Sequence, residues 1–173
     1  LIKKKPAPRT GELMDDQKEI EFRDSDDGPM KIWVMPRPGR SYLIAADVAQ
    51  GVQGGNYSVA QILDRASWEQ VGVIRMRVNP GAWGRILVTA ANFYNRAIVI
   101  PENNSIGQGT IEAINDVQYP HLIKSKELWT NQENPQYGFP TTEKSRNQSI
   151  TALRNAVDDE SVFFNDLVTI QEL

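Results

Sequence analysis

Two acidic residues close two apolar segments of this chain, and carboxylates placed in that way can hold a metal ion. Asp47 follows the apolar run Tyr42-Leu43-Ile44-Ala45-Ala46, and Glu102 follows the run Ala97-Ile98-Val99-Ile100-Pro101. Each run has the length and the residue types of a buried strand. Carboxylates that two strands deliver to one edge of a sheet repel each other and favour a divalent cation between them. Mg²⁺ or Mn²⁺ is the cation that oxygen ligands of this kind prefer.

The elements predicted around the two acids follow the order of a ribonuclease H-like α/β fold. That fold has a mixed sheet, with an antiparallel three-strand meander and further parallel strands, flanked by helices. In this layout the first strand of the meander neighbours the strand that ends in Glu102, so Asp47 and Glu102 are expected side by side. Two metal ions about 3.5–4 Å apart at such a site could activate a water molecule and stabilise the leaving oxygen of a phosphodiester. The predicted strands are Met30–Met35, Tyr42–Ala49, Tyr57–Arg65, Gln70–Val78, Ala97–Pro101, a short one at Leu122–Ile123, and Val162–Phe164. The predicted helices are 79–95, Gly107–Val117, one with Thr141 as its N-cap, and a final helix from Asp166.

Composition narrows the class of protein. With 173 residues and 40% hydrophobic content, the chain can build one domain with a real core. The net charge of −3 provides no global basic field, which leaves only a local basic groove for nucleic acid. There is no cysteine and a single histidine, which excludes disulfides, thiolate metal sites and His-rich zinc sites. No apolar run reaches the roughly 18 residues of a membrane span, and no signal peptide is visible.

The first 29 residues differ from the rest in their high charge. Lys3-Lys4-Lys5 is followed by acidic clusters at Asp15-Asp16 and Asp24–Asp27, without a persistent periodicity. We therefore predict an arm or linker at residues 1–29, with a short helix near residues 12–22, and a ribonuclease H-like domain at residues 30–173. Because the chain starts without Met and ends within a predicted helix, we expect it to be part of a longer protein that continues the domain.

Four sequence motifs, in this order, resemble the C-terminal nuclease domain of the large terminase subunit of tailed bacteriophages. They are Ala45-Ala46-Asp47-Val48-Ala49-Gln50-Gly51, Gly54-Gly55-Asn56-Tyr57-Ser58, Ile100-Pro101-Glu102-Asn103-Asn104 and Gly138-Phe139-Pro140-Thr141-Thr142-Glu143-Lys144. Each motif alone is weak, whereas the ordered set, with its Gly-Phe-Pro-Thr-Thr element before a helix, is fairly specific. The resemblance covers roughly residues 30 to 173.

The resemblance implies a metal-dependent endonuclease that cuts concatemeric viral DNA at the start and the end of packaging. It implies double-stranded DNA as the substrate and a separate N-terminal ATPase domain of the same polypeptide, which this chain lacks because no P-loop is present. The portal and the small terminase subunit are the further partners that it implies, with no membrane. The expected location is the cytoplasm of the infected bacterial host, with the gene on a phage or a prophage.

Carried over by motif, the resemblance makes Asp47 the first catalytic acid and Glu102 the second, both also metal ligands. Asn56 stands where the family often has Asp, so it can offer a carbonyl oxygen to a metal but no charge. The family's third acid lies on a helix beyond the end of this chain, and the triad is therefore expected to be incomplete here. The acids that do not match its context are Asp158, Asp159 and Asp166.

Four basic residues are candidates for DNA binding. Lys144 and Arg146 follow the Thr pair at the start of a predicted helix, where backbone N–H groups favour phosphate. An ordinary solvated first turn explains them equally well. Lys124 and Lys126 could extend a basic strip, although a solvated face is the simpler reading.

Three other classes of protein share parts of this pattern. A non-catalytic DNA-docking module of the packaging motor would keep the fold without cutting, and metal-dependent nicking of plasmid separates it from an enzyme. Resolvases and transposases of the ribonuclease H-like type share the acidic site but lack the Gly-Phe-Pro-Thr-Thr element. Sugar kinases and actin-like ATPases need a second Asp-Gly hairpin and about twice this length.

Overall fold

The computed structural model describes residues 7–125 and 136–172, and within them an eight-stranded sheet forms the centre of the protein. The strands are β1 Arg9–Asp15, β2 Ile20–Asp24, β3 Met30–Ile32, β4 Tyr42–Asp47, β5 Ser58–Asp64, β6 Glu69–Met76, β7 Ile98–Asn103 and β8 Phe139–Pro140. Their order across the sheet is β2-β1-β3-β6-β5-β4-β7-β8. The β4–β7 and β7–β8 pairs are parallel and the others are antiparallel, so the predicted ribonuclease H-like mixed sheet is confirmed.

Helices cover both faces of the sheet. They are α1 Pro80–Phe93, α2 Gln108–Asp116, α3 Glu143–Asp158 and α4 Leu167–Gln171. The buried core lies between the sheet and the pair α1 and α2. On the opposite face, Leu153 of α3 and Thr169 of α4 line a groove with Ala45 and Gln61 of the sheet. No helix among the described residues combines the length and the apolar character that crossing a membrane requires.

Alternation along β4 decides which residues enter the core and which reach the site. Ile44 and Ala46 are buried among the residues of α1 and α2. Leu43, Ala45 and Asp47 point to the other face, because successive side chains of a strand point to opposite sides. The apolar run that precedes Asp47 thus anchors the strand, and the acid at its end remains accessible.

The predicted N-terminal arm is wrong for residues 9–24, and so is its short helix. β1 and β2 form an antiparallel hairpin, and β1 pairs with β3 to extend the sheet. Leu13 and Phe22 lie partly buried against the core. The carboxylate of Asp16 accepts hydrogen bonds from the backbone of Lys18 and Glu19 at 2.9 and 2.8 Å. The acidic cluster therefore forms a hairpin turn. Its charge suggested a solvated linker, although two apolar side chains hold the strands against the core.

Three smaller predictions also change. The N-cap of α3 is Thr142 instead of Thr141, because Thr142 and Ser145 bond each other's backbone in a capping box. The strand predicted at Leu122–Ile123 is reduced to a bridge from Leu122, and the one at Val162–Phe164 to a bridge from Phe163. β8, which is absent from the predicted elements, pairs with β7. The final helix starts after Asp166, as predicted.

An ion pair between the buried Asp64 and the exposed Arg40 closes the end of the meander that lies away from Asp47. Asp64, which is 6% exposed, accepts hydrogen bonds from Nε and Nη2 of Arg40 at 2.9 and 2.8 Å and from the backbone of Ala66 at 2.9 Å. Burial acts to raise the pKa of Asp64, but the Ala66 N–H and the Arg40 guanidinium outweigh it and hold the pKa below its usual value.

We predict that Asp64→Asn destabilises the protein at neutral pH by about 1–3 kcal/mol, the range for a lost hydrogen bond to a charged group. Because the folded-state pKa is depressed, the contribution is present above the unfolded pKa of about 3.9 and is lost as the pH falls through the folded value. Urea denaturation at pH 7 and pH 3.5 measures the loss of stability and its dependence on pH. Asp24→Asn, which removes the exposed Arg9–Asp24 pair, is the control and should change little. Equal effects of the two substitutions at pH 7 would contradict the account.

Candidate acidic metal site

The structure brings Asp47 and Glu102 together at the edge of two neighbouring parallel strands. Ala46 of β4 pairs with Pro101 of β7, so the next residue on each strand is the acid. The Glu102 carboxyl is near enough to Asp47 to raise the pKa of its carboxyl group. The predicted convergence of Asp47 and Glu102 is therefore confirmed, and two acids more than fifty residues apart form one site.

Buried groups fix the backbone at Asp47. The indole Nε1 of Trp83, a fully buried residue of α1, donates to the Asp47 carbonyl at 3.2 Å. The Val48 N–H donates to the Asp47 carboxylate at 2.9 Å, and the Ala49 N–H donates to the buried hydroxyl of Ser58 at 3.0 Å. The core thus holds the strand end in place on the side away from solvent.

The two asparagines that follow Glu102 shape the chain around it. The Asn104 side-chain oxygen accepts hydrogen bonds from the backbone of Ile106 and Gly107 at 3.0 and 2.7 Å, which turns the chain into α2. The Asn103 amide donates to the Tyr137 carbonyl at 2.7 Å and ties β7 to the segment that enters β8. These contacts explain both asparagines as structural residues.

The surroundings of Asp47 and Glu102 disfavour the state in which both carboxyl groups are ionised without a cation. Desolvation by the surrounding protein, then the Glu102 carboxyl with its hydrogen bond and charge, raise the pKa of Asp47 to about 6, against a smaller lowering by the Val48 N–H. The residue still exposes part of its surface at the sheet edge. Oxygen ligands whose mutual repulsion a cation relieves, open to solvent on one side, fit a hard divalent ion.

The described residues supply two acids to this edge and no more. Across residues 7–125 and 136–172, no group of three or more His, Asp or Glu side chains is placed to share a metal ion. Asn56 lies exposed in the glycine-rich loop, three residues before Val59, which pairs with Asp47. Asp166 caps α4 and lies 3.6 Å from the Lys31 ammonium, which gives it a structural role elsewhere.

Three of the four predicted basic residues lie on the β7 side of the acids. Phe139 of β8 pairs with Glu102, and the exposed Lys144 and Arg146 follow in the first turn of α3. Gly138 permits this close approach, because it has a φ of +79° and a Cβ there would lie 2.6 Å from the Pro101 carbonyl. The Lys124 ammonium lies over the Tyr137 ring at 5.2 Å. Lys126 is outside the described residues.

Sequence reasoning missed a basic group on the other side of the acids. Val59 pairs with Asp47 on one side and with Arg75 on the other, so Arg75 and Asp47 share a row across the sheet. Arg75 and Arg77 both lie against the ring of Tyr57. The signal that could have revealed them is the meander register, since a three-strand antiparallel alignment places every second residue of β6 on the face of Asp47.

Comparison with solved structures identifies the class of fold. The large terminase nuclease from thermophilic phage G20c with bound magnesium superposes with a TM-score of 0.65 at 19% identity, covering 84% of this chain and 69% of that one. Its zinc-bound structure gives 0.65 at 20% identity, with coverage of 86% and 77%. The Thermus phage P74-26 large terminase nuclease domain gives 0.59 at 18% identity, with coverage of 86% and 68%.

The chain therefore has the ribonuclease H-like fold of large terminase nuclease domains. The resemblance that the four motifs indicate is confirmed at the level of the fold. No family of proteins and no curated protein matches the chain by sequence.

We predict that Asp47→Asn raises the melting temperature at pH 7.5 in the absence of divalent ions. The folded-state pKa of about 6 lies above the unfolded value of about 3.9, so the stabilising protonated form is fully present below pH 4 and is lost as the pH rises through 6. The gain should therefore shrink towards zero at pH 4. Thermal melts between pH 4 and 8 measure it, with Asp26→Asn, an exposed turn residue, as the charge control. A pH-independent difference would contradict the repulsion at the pair.

Proposed function

We propose that this chain is a metal-dependent DNA endonuclease domain of a phage DNA-packaging terminase, which cuts concatemeric viral DNA. The observation that carries the proposal is the acid pair at the carboxyl ends of β4 and β7 in this fold. The support from comparison is that the nuclease of phage G20c, which shares the fold, has been solved with magnesium, cobalt and zinc.

Asp47 and Glu102 are the residues that would hold Mg²⁺ or Mn²⁺. Bound in pairs, such ions lower the pKa of a water molecule and stabilise charge that develops on a phosphodiester. Asp47, whose backbone is held by Trp83, and Glu102 would supply the charged oxygen ligands. Asn56 is a candidate uncharged ligand. Hydrogen bonds hold the backbone at Asp47 and the turn that follows Glu102, so little backbone reorganisation is needed on binding.

The partners follow from the same proposal. Double-stranded DNA is the substrate, with Lys144 and Arg146 at the start of α3 as phosphate contacts, together with Lys124 and Lys126. An N-terminal ATPase domain of the same polypeptide, the portal and the small terminase subunit complete the packaging machine. The domain would act in the cytoplasm of the infected or lysogenic bacterial host.

One observation favours a second candidate function, a DNA-docking module that does not cut. The described residues bring only two acids together, whereas two ions are best held by more carboxylate charge. A docking module would bind DNA without metal-dependent cleavage. A resolvase-like or transposase-like nuclease would instead cut branched or end-specific DNA in preference to linear duplex.

We predict that Asp47→Ala lowers plasmid cleavage by orders of magnitude in the complete polypeptide that contains this domain. Each ion lost forfeits several kcal/mol of transition-state stabilisation, and each 1.36 kcal/mol corresponds to about tenfold in rate. Asn56→Ala, which removes no charge, should cost far less. The rates are compared at saturating Mn²⁺. Nearly wild-type cleavage by Asp47→Ala would show that the chemistry lies elsewhere, and DNA binding without cleavage by the wild type would favour the docking module.

We also predict weak binding of metal to this chain, in roughly the millimolar range of sites with few charged ligands. Mn²⁺ should bind more tightly than Mg²⁺, because it belongs to the transition-metal affinity series and accepts a looser coordination geometry. Titration calorimetry measures both ions, with Asn56→Ala as a variant that should retain most of the affinity. Mn²⁺ binding that is unchanged in Asp47→Ala would rule out the acid pair as the site.

A further inference from the structure

An exposed aromatic residue and two arginines lie on the same face of the sheet as the acid pair. In the meander, Asp47 pairs with Val59, and Val59 pairs with Arg75. Residues directly opposite in antiparallel strands share a face. Neighbouring strands are about 4.8 Å apart, so Arg75 begins roughly 10 Å from Asp47 across the sheet. A ligand long enough to span that distance can touch both.

The ring of Tyr57 holds both guanidinium groups. The Arg77 guanidinium carbon lies 3.9 Å from the ring centroid and that of Arg75 lies 5.3 Å from it. Nε of Arg77 also donates to the Gly55 carbonyl at 2.9 Å. Tyr57 remains 39% exposed, and Arg77 is exposed too. A cation–π contact restricts an arginine without neutralising it, so the ring of Tyr57 orders both guanidinium groups beside an exposed surface.

An acidic side chain already forms an ion pair with Arg75. Nη2 of Arg75 lies 3.1 Å from a carboxylate oxygen of Glu172, with the two side chains 36% and 63% exposed. Ion pairs this exposed contribute little to stability. A phosphate oxygen, which pairs with arginine in the same way as a carboxylate, could therefore replace Glu172 at small cost.

We propose that Tyr57, Arg75 and Arg77, the arginine–tyrosine cluster, bind the phosphate backbone of the DNA duplex on the β6 side of the acid pair. The inference rests on the proposed function. The first turn of α3, with Lys144 and Arg146, lies beyond Glu102 on the opposite side, so the acids sit between two basic groups in a protein of net charge −3. A rise of 3.4 Å per nucleotide makes the roughly 10 Å from Asp47 to Arg75 about three steps of one strand.

The test is binding of a fluorescent 30-base-pair duplex, followed by anisotropy without divalent ions over a series of NaCl concentrations. Arg77→Ala should weaken binding about tenfold at low salt, the loss expected for one charged hydrogen bond. It should also reduce the slope of log affinity against log salt by about one, independently of DNA sequence. Arg65→Ala is the matched control, because Arg65 is an exposed arginine in the turn at the other end of β5. It removes the same charge and should leave affinity and slope unchanged.

Three further variants separate ligand binding from a purely structural role. Tyr57→Phe keeps the ring that orders the arginines and should bind DNA like the wild type, whereas Tyr57→Ala should lose affinity without a matching loss of melting temperature. Glu172→Gln, which frees Arg75, should tighten binding.

The outcomes distinguish this inference from the proposed function. If the wild type binds and cleaves DNA while Arg77→Ala matches Arg65→Ala in affinity and salt slope, the cluster is not a phosphate contact and the nuclease assignment stands. If the complete polypeptide that contains this domain neither binds nor cleaves DNA, this inference and the proposed function are both overturned. A drop in melting temperature that accounts for the whole affinity loss in Arg77→Ala and Tyr57→Ala would also overturn the inference.

Discussion

Parallel pairing between β4 and β7 places two acidic residues side by side at one edge of the sheet, and the other elements are arranged around that edge. Neither strand can shift by one residue, because Ile44, Ala46 and Val99 would then leave the core. The register that buries these side chains is the register that aligns Asp47 with Glu102. Folding therefore brings an electrostatic cost at the sheet edge, and the raised pKa of Asp47 reflects it. The burial of the hydrophobic core offsets that cost.

The remaining elements supply what the acid pair needs around it. Trp83 reaches from α1 to hold the Asp47 carbonyl, and Asn104 turns the chain away immediately after β7. Gly138 lets β8 approach β7 beside Glu102, which brings the first turn of α3 to one flank. On the other flank the meander places Arg75 in the row of Asp47. An acidic centre between two basic flanks is a charge pattern that suits a polyanion carrying a metal ion.

The sequence predicted the centre of this arrangement and missed its periphery, for physical reasons. Apolar runs that end in Asp47 and Glu102 report burial directly, so both strands and their acids could be read along the chain. The β1–β2 hairpin was not predicted, because the segment is highly charged and only Leu13 and Phe22 contribute apolar contacts. Thr142 displaced Thr141 as N-cap because only the former has Ser145 three residues later. The arginine–tyrosine cluster depends on register between strands, which a linear pattern does not encode.

Anomalous scattering from Mn²⁺ in crystals of this chain would show whether Asp47 and Glu102 together form a divalent-cation site. We expect an anomalous difference peak between the two carboxylates, and we expect it to disappear in isomorphous crystals of Asp47→Asn. Asn56→Ala should retain the peak. If the peak persists in Asp47→Asn, or if Mn²⁺ binds at other residues and none lies between these two acids, then Asp47 and Glu102 do not form the site.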